Sequence, residues 1–351
     1  MEIQFLQAEY GDAIIIKTKA GDKPYTIVVD GGPESTAEEI SRQLQVLEHI
    51  DLMALTHFDE DHIMGLIKYV ELYKRAVLPV DEFWCNCAQK IDLSGEVEIA
   101  EARYEHANTL AGFLREQKKK NSEFRWTEDI TSSLETYSKG DLQIDVLSPT
   151  EDVLKVLREG YDEYFAKHPW IDSESTSTDI ALVGKNPDAS QSIEKLAEKD
   201  TSRTVNLWNK ASVAFLLQAE GKKILMLGDA DADIVADSLE KLTGKGNVID
   251  IDLVKLSHHG SKHNISKRLL SLIRCKDYAI STNGGAINFC HPDRKTLSLI
   301  LRNVNRDSSE TLNFYFNYPI EDLQKRTGVL LSEEEMRNEN CKMIEQSIIT
   351  L

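Results

Sequence analysis

The chain opens on short apolar runs. β-Branched and other apolar residues cluster at Ile3 to Leu6, Ala13 to Thr18 and Tyr25 to Asp30, broken at Gly11 and at Ala20-Gly21-Asp22. Runs of this length between glycine turns predict three strands in an antiparallel meander. After Gly31-Gly32-Pro33 the period lengthens. Ile40, Leu44 and Leu47 keep helical spacing, and Thr36 with Glu39 has the spacing of a capping box. Leu52 to Thr56 reads as a buried strand that stops at His57, Met64 to Tyr73 as a helix, and Phe83-Trp84-Cys85 as a further strand.

From about residue 90 to 208 the pattern changes. Residues 97–120 predict one long, highly charged amphipathic helix, Leu142 to Leu147 a strand and Val153 to Phe165 a helix. Ser173 to Asp200 is rich in Ser, Asp and Lys with weak periodicity, which predicts a loop. Regular order then returns. Strands at Val213 to Leu217, Lys223 to Leu227, Leu253 to Leu256 and Tyr278 to Ser281 alternate with helices near 231–242, 264–274 and 294–303. Leu312 to Phe316 reads as an edge strand, and the acidic tail after Gly328, with Glu333-Glu334-Glu335, as a surface helix. The expected layout is an α/β domain over 1–320 with a helical and loop insertion at 90–200, followed by an acidic helix or tail over 321–351.

Composition narrows the class. A chain of 351 residues, 41% of them hydrophobic, has enough apolar mass for a large core. No run of 18 apolar residues occurs, so no membrane span or membrane partner is expected. Met1-Glu2-Ile3-Gln4 lacks the basic and apolar regions of a secretory signal. Cys85, Cys87, Cys275, Cys290 and Cys341 are an odd, scattered set that suits a reducing cytoplasm, with Cys85 and Cys87 read as buried thiols. The balance of 41 basic and 59 acidic residues, net -18, argues against a generic nucleic-acid coat but leaves room for a nuclease with a local basic track. The dense basic cluster is Arg115 to Arg125. There Lys118, Lys119 and Lys120 are candidate phosphate contacts and Phe124 and Trp126 candidate stacking platforms, although lysines at a helix end are also favoured simply by solvation and the helix dipole.

The densest chemical signal is His57-Phe58-Asp59-Glu60-Asp61-His62, directly after an apolar strand. A strand end followed by a helix start fans such side chains around one point, and imidazole with carboxylate suits Zn, Mn or Fe. The bland account is an acidic helix N-terminus with two solvated histidines. Other strand ends count against that account. Val28-Val29-Asp30-Gly31-Gly32, Leu227-Gly228-Asp229-Ala230-Asp231, Lys255-Leu256-Ser257-His258-His259-Gly260-Ser261 and Asn288-Phe289-Cys290-His291-Pro292 each put an Asp or His at or beyond one. Five of nine histidines thus belong to strand ends, which in α/β layers share an edge and build the site there.

Taken in order, Asp30, the His57 to His62 motif, Gly228-Asp229 and His258-His259-Gly260-Ser261 resemble the metallo-β-lactamase fold superfamily. Within it they are most similar to the soluble hydrolase domain of the ComEC/Rec2 competence proteins. Gly11-Asp12-Ala13, Asn209-Lys210-Ala211-Ser212-Val213 and His291-Pro292 add to the likeness, which runs from about residue 5 to 300 and is poor over 90–200. The resemblance implies a four-layer αβ/βα sandwich and a metal-dependent hydrolase, foremost a phosphodiesterase or nuclease using a metal-activated water on nucleic acid or a nucleotide. By position it assigns His57, Asp59 and Asp229 to one ion, and Asp61, His62, Asp229 and one of His258/His259 to a second, with Asp30 and Asn209 in support. Asp61 would also orient the water, and His291 would donate a proton or contact phosphate. Asp59 stands where most relatives have His, and a third histidine for the first ion is missing. Asn206 and Asn209 occupy that stretch and His168 is the nearest spare imidazole. An oxygen-richer set moves preference from Zn²⁺ towards Mn²⁺ or Mg²⁺, with one or two ions bound. The same chemistry would serve a lactone, thioester or other small acyl substrate. A regulatory module with a degenerate site, meeting a protein partner through 90–200, is the reading of a different class.

Replacing Asp59 by His should raise relative Zn²⁺ affinity and shrink any Mn²⁺ preference, because imidazole suits the softer ion. Competition titrations against a chromophoric chelator would read this, and an identical preference in the mutant would remove Asp59 from the ligand set.

Overall fold

The computed structural model describes residues 1–86, 102–167, 188, 191–200, 202, 205–285, 290–307 and 309–351. The N-terminal half runs β1 (Glu2–Phe5), β2 (Ile14–Ala20), β3 (Lys23–Val29), α1 (Glu34–Gln45), β4 (Ile50–Ala54), α2 (Glu60–Leu72), β5 (Val80–Trp84), α3 (Ala102–Lys120) and β6 (Arg125–Thr127). Next come β7 (Tyr137–Lys139), β8 (Leu142–Ser148), α4 (Glu151–Lys167), α5 (Ile193–Glu198), α6 (Leu207–Lys210), β9 (Ala214–Ala219), β10 (Lys222–Met226), α7 (Ala232–Thr243), β11 (Ile249–Asp250) and β12 (Leu253–Lys255). The remainder is α8 (Lys267–Ser271), β13 (Ile273–Arg274), β14 (Asp277–Ile280), α9 (Arg294–Asn303), β15 (Leu312–Phe316), α10 (Ile320–Thr327), α11 (Glu333–Asn338), β16 (Cys341–Glu345) and β17 (Ile348–Thr350).

Two sheets take up most strands. One has seven strands in the order β17-β1-β2-β3-β4-β5-β6, the other eight in the order β16-β15-β14-β12-β10-β9-β8-β7. Period-two alternation explains why both faces of each are covered. In β2, Ile14 and Ile16 point into the core between the sheets while Ile15 points out towards Ile40, Leu44, Leu66 and Tyr69 of α1 and α2. In β9 and β10, Phe215, Leu217 and Ile224 point inward while Leu216 and Leu225 join Val235 and Leu239 of α7 and Leu297 and Ile300 of α9. The result is helix, sheet, sheet, helix: the expected four-layer αβ/βα sandwich. Among the described residues no helix is long and apolar enough to cross a membrane.

The meander β1-β2-β3 is antiparallel as predicted, and β3-β4-β5 continue in parallel. Several expectations change. The capping box does not form: α1 begins two residues before Thr36, behind Pro33, and the Thr36 hydroxyl turns back to the Pro33 carbonyl at 3.4 Å. Part of the supposed insertion is sandwich. β6 extends the first sheet beside β5, β7 and β8 extend the second beside β9, and Ile130, Leu142 and Ile144 lie in the inner core. β6 and β7 have three residues each, too few for an alternation to register. The expected helix at 264–274 is only α8, since Ser266 caps it late and Ile273–Arg274 pair with β11. Within the expected loop to Asp200, Ile193–Glu198 is helical with Ser192 as its cap; residues 173–187, 189 and 190 of that stretch, His168 and Cys87 lie outside the described residues.

The C-terminal segment differs most. Glu333–Asn338 is a capped helix, as the acidic run suggested, but two strands follow. β16 runs parallel to β15 and β17 antiparallel to β1, so the last residues close one edge of each sheet. β15 is therefore interior rather than an edge, with β14 on its other side. Phe314 in its centre is fully buried. Phe314→Ala should cost about 3–5 kcal/mol in urea unfolding, whereas Val329→Ala on the surface should stay within about 0.5 kcal/mol. Similar small losses at both positions would contradict the interior placement.

Candidate metal centre

The parallel strands deliver the site at their C-terminal ends. β3 leads to Asp30, and β4 to Thr56 and His57. β10 leads to Asp229, and β12 to His258 and His259. α2 starts at Glu60, so Asp61 and His62 sit in its first turn, where the helix dipole favours acid. Asp59 occupies the N-cap position, yet its carboxylate caps no helix N–H. A capping bond therefore does not account for Asp59, although the helix dipole favours its charge there. Asp30, His258 and His259 all take the left-handed backbone region, with φ of 59°, 48° and 54°. Strain of that kind in non-glycine residues costs about 1–3 kcal/mol each and gathers at functional sites. Gly228, at φ 48°, permits the turn into Asp229; a Cβ there would meet the Ser212 hydroxyl at 2.5 Å.

Asp229 lies at the centre and is 2% exposed. Its Oδ2 is 3.7 Å from His57 Nε2 and 3.6 Å from His258 Nε2, and its Oδ1 is 3.5 Å from His62 Nε2. Asp59 Oδ2 adds to the first side, 3.8 Å from His57 Nε2. Asp61 Oδ2 adds to the other, 3.8 Å from His62 Nε2 and 3.4 Å from His259 Nε2. The two adjacent histidines thus face opposite sides of Asp229, and His258 occupies the place for which no third histidine was found in the sequence.

Groups behind these side chains fix their rings. Asp30 accepts from the Thr56 amide at 2.7 Å and the Thr56 hydroxyl at 2.8 Å, and its Oδ2 is 2.8 Å from His62 Nδ1. His57 Nδ1 meets the Thr56 hydroxyl at 3.1 Å, and His259 Nδ1 the Ser281 carbonyl at 2.9 Å. His258 Nδ1 lies 3.3 Å from Asn209 Nδ2 and 3.2 Å from Asn264 Oδ1, while Asn264 also donates to the Asp229 carbonyl at 2.9 Å. Every Nε2 is left to face the centre, the arrangement that orients imidazole ligands.

Without a cation the cluster is electrostatically unsettled. Burial alone would depress the His62 imidazole, but Asp229, Asp61 and Asp30 overcome it and hold its pKa well above the usual value. His259 is likewise raised against burial by Asp12 and Asp61. Burial, together with His291 and His259, pushes His258 down to about 4 against the pull of Asp229. Burial opposes ionisation of Asp61 and Asp229, yet the imidazoles keep both carboxyls below the ordinary range.

The donor set fits a divalent ion. His57 Nε2, His62 Nε2, His259 Nε2 and Asp229 Oδ1 are buried without a hydrogen-bond partner. Ligands on a tetrahedral ion at about 2.1 Å lie about 3.4 Å apart, close to the donor separations found here. Asp12, His62, Asp229 and His259 also form a buried group that could hold a metal ion.

Most of the sequence candidates converge. Asp30 and Asn209 stand behind the rings of His62 and His258, and His291 lies beside His258 with ring centroids 5.3 Å apart. Lys118, Lys119 and Lys120 do not join them. Lys120 donates to the carbonyls of Tyr73 and Lys74, and Lys119 pairs with Glu116. That is the far end of the 13-residue α2, about 20 Å along the helix from Asp61. Trp208 is half-buried, edge-on to Phe58, and with Leu55, Leu157 and His57 lines a small recess beside the centre. Sequence reading assigned no role to Thr56, Asn264, Lys255 or Asp293. Asp12 appeared only as part of a motif.

No protein-family model matches the chain, and no curated protein matches it. Solved structures with similarity to it include metallo-β-lactamase fold proteins. Zn²⁺-bound PqqB from Methylobacterium extorquens is 11% identical with a TM-score of 0.45, over 100% of both chains. The metallo-β-lactamase fold protein YhfI from Bacillus subtilis is 9% identical with a TM-score of 0.41, over 99% of this chain and 98% of that one. A diphosphatase of the PhnP family is 10% identical with a TM-score of 0.36, over 97% and 84%. At these scores they assign neither ligand nor activity to this chain.

The raised imidazoles set the pH dependence. His62 and His259 hold protons above the ordinary value of about 6.5, and a cation must displace them. Metal affinity should therefore rise with pH from about 6.5 upwards until both are neutral. Calorimetric titration at pH 7 in buffers of different ionisation enthalpy should show proton release on binding. Buffer-independent heats would contradict the assigned ring environments.

Proposed function

We propose that this chain is a metal-dependent hydrolase with a small phosphodiester as substrate. The observation that carries the proposal is the set of buried imidazole nitrogens and the Asp229 oxygen that converge without hydrogen-bond partners. One side would be held by His57, Asp59, His258 and Asp229 Oδ2, the other by Asp61, His62, His259 and Asp229 Oδ1, with Zn²⁺ or Mn²⁺ suited to the mixed set. A bound divalent ion supplies a Lewis acid and lowers the pKa of water to about 7.

The protein's own groups do the rest. Asp229 ties both sides together through its two oxygens. Asp61 is partly exposed and ionised, so a free carboxylate lone pair can accept a hydrogen bond from the attacking water and set its direction. His291 turns Nδ1 towards Asp293 Oδ2, 3.4 Å away, which leaves Nε2 to contact a substrate oxygen or protonate the leaving group. Asp293 in turn is held by Lys262 at 3.2 Å.

The position of Lys118 to Lys120 favours a small substrate over a long polyanion. The net charge of -18 repels nucleic acid, and this cluster is too far from the centre to offset it locally. A second reading is hydrolysis of a lactone or thioester, an uncharged centre that the net charge of -18 does not repel. The likeness to the ComEC/Rec2 hydrolase domain rests on motifs alone and does not decide between them.

The wild-type protein loaded with Mn²⁺ or Zn²⁺ should cleave bis-p-nitrophenyl phosphate and lose that activity to a chelator. Asp229→Asn and His62→Ala should abolish turnover with the fold retained by circular dichroism. Lys118, Lys119 and Lys120 all replaced by Ala should leave it unchanged. Cleavage of lactones or thioesters but no phosphodiester would establish the second reading. Metal uptake with no turnover of either class would point to a regulatory module.

A further inference from the structure

Behind the His259 side of the centre lies an ion pair with no part in the mechanism above. Asp12, in the loop between β1 and β2, and Lys255, at the end of β12, are each 1% exposed and paired through Asp12 Oδ2 and Lys255 Nζ. A buried ion pair is poor evidence of stabilisation, because desolvating both charges offsets their attraction. Its position is more informative than its strength. Asp12 belongs to the half of the molecule that carries His57 to His62, and Lys255 to the half that carries Asp229, His258 and His259.

Asp12 contacts both ligand groups. Its amide donates to the Asp61 carbonyl at 3.1 Å and its carbonyl accepts from Gly32 at 2.8 Å. Its second carboxylate oxygen, Oδ1, is buried without a hydrogen-bond partner and lies 3.6 Å from His259 Nδ1. The preceding residue locks the same junction. Gly11 packs so closely on α2 that a Cβ would sit 2.0 Å from the Asp61 carbonyl oxygen, and its own carbonyl accepts from the Ser281 hydroxyl at 3.2 Å. The Ser281 carbonyl holds His259 Nδ1. Lys255 Nζ reaches the Gly228 carbonyl at 3.5 Å, one residue before Asp229. Asp12 and Lys255 therefore touch or adjoin Asp61, Asp229 and His259, three ligands from two separate halves. The site has a counterpart on its other side, where Asp30 backs His62. There the carboxylate has no lysine, and both of its ends are taken by Thr56 and His62.

We infer that Asp12 and Lys255 are a positioning pair for the metal centre, registering the His259 side against the Asp61 side so that the bipartite ligand set is preformed. Lys255 balances the Asp12 charge, so the Asp12 carboxylate can pack against the His259 ring, 3.6 Å from Nδ1, without adding net negative charge beneath the ligands. A preformed set gains affinity because little reorganisation accompanies binding, and groups behind metal ligands typically contribute 10–100-fold.

This inference rests on the metal reading above, and its test separates the two. The double variant Asp12→Asn with Lys255→Met keeps the shapes but removes both charges, and a neutral pair in place of a buried ion pair is often tolerated. Thermal unfolding of the metal-free protein should then stay within about 4 °C of wild type. Its affinity for Zn²⁺ or Mn²⁺, from competition with a chromophoric chelator, should fall about 10–100-fold. Asp12→Asn alone, read the same way, serves if the double variant does not fold. Wild-type affinity in a folded variant would make the pair a structural tie only and overturn the inference while leaving the metal reading intact. A wild-type protein that takes up neither ion would end both.

Discussion

A carboxylate buried among imidazoles must be answered by charge, and the arrangement of this molecule follows from how Asp229 is answered. Moving an ionised carboxyl out of water costs several kcal/mol unless partners compensate. Asp229 receives three imidazole nitrogens at 3.5–3.7 Å, none of them in hydrogen-bonding geometry. In the absence of a cation a proton on His62 can serve, which is why that imidazole is raised, while His259 is raised against burial chiefly by Asp12 and Asp61. The cluster is thus built for a positive charge that the side chains by themselves supply only in part.

That requirement explains the architecture around it. Two parallel strand sets, one in each sheet, end on the same edge, so groups far apart in sequence reach one point while their backbones stay hydrogen-bonded. The helices and inner core make that edge rigid. Rigidity permits the left-handed conformations of Asp30, His258 and His259, which a looser loop would relax. For the histidine pair the consequence is direct. Consecutive residues on an extended chain would point to opposite faces anyway, but the left-handed turn sends one ring to each side of a single carboxylate.

Much of the fold was legible because burial on two faces leaves a strong imprint. Ile14-Ile15-Ile16 and Phe215-Leu216-Leu217 are continuous apolar runs because the inner core and the helix layer each take alternate residues. The His57 to His62 motif was legible for another reason: its geometry is local, a strand end and the first turn of a helix. Short elements left no such trace. β6 and β7, at three residues, carry no period, and β16 and β17 are strands only because β15 and β1 offer them an edge.

The amino-acid sequence by itself determined most of the strands and helices, the strand ends that carry chemistry, and the residue types available there, since each depends on periodicity or on neighbours within a few residues. The four-layer order was implied by the family resemblance and not by the spacing of the strands. Tertiary structure decided which side of Asp229 each histidine serves, that Lys255 meets Asp12 across 243 positions, and that the lysines ending α3 lie at the wrong end of α2 to reach the site. Those outcomes turn on distances between segments that touch only after the two sheets pack. A pattern along the chain records the faces that must be buried, but not what each face will meet.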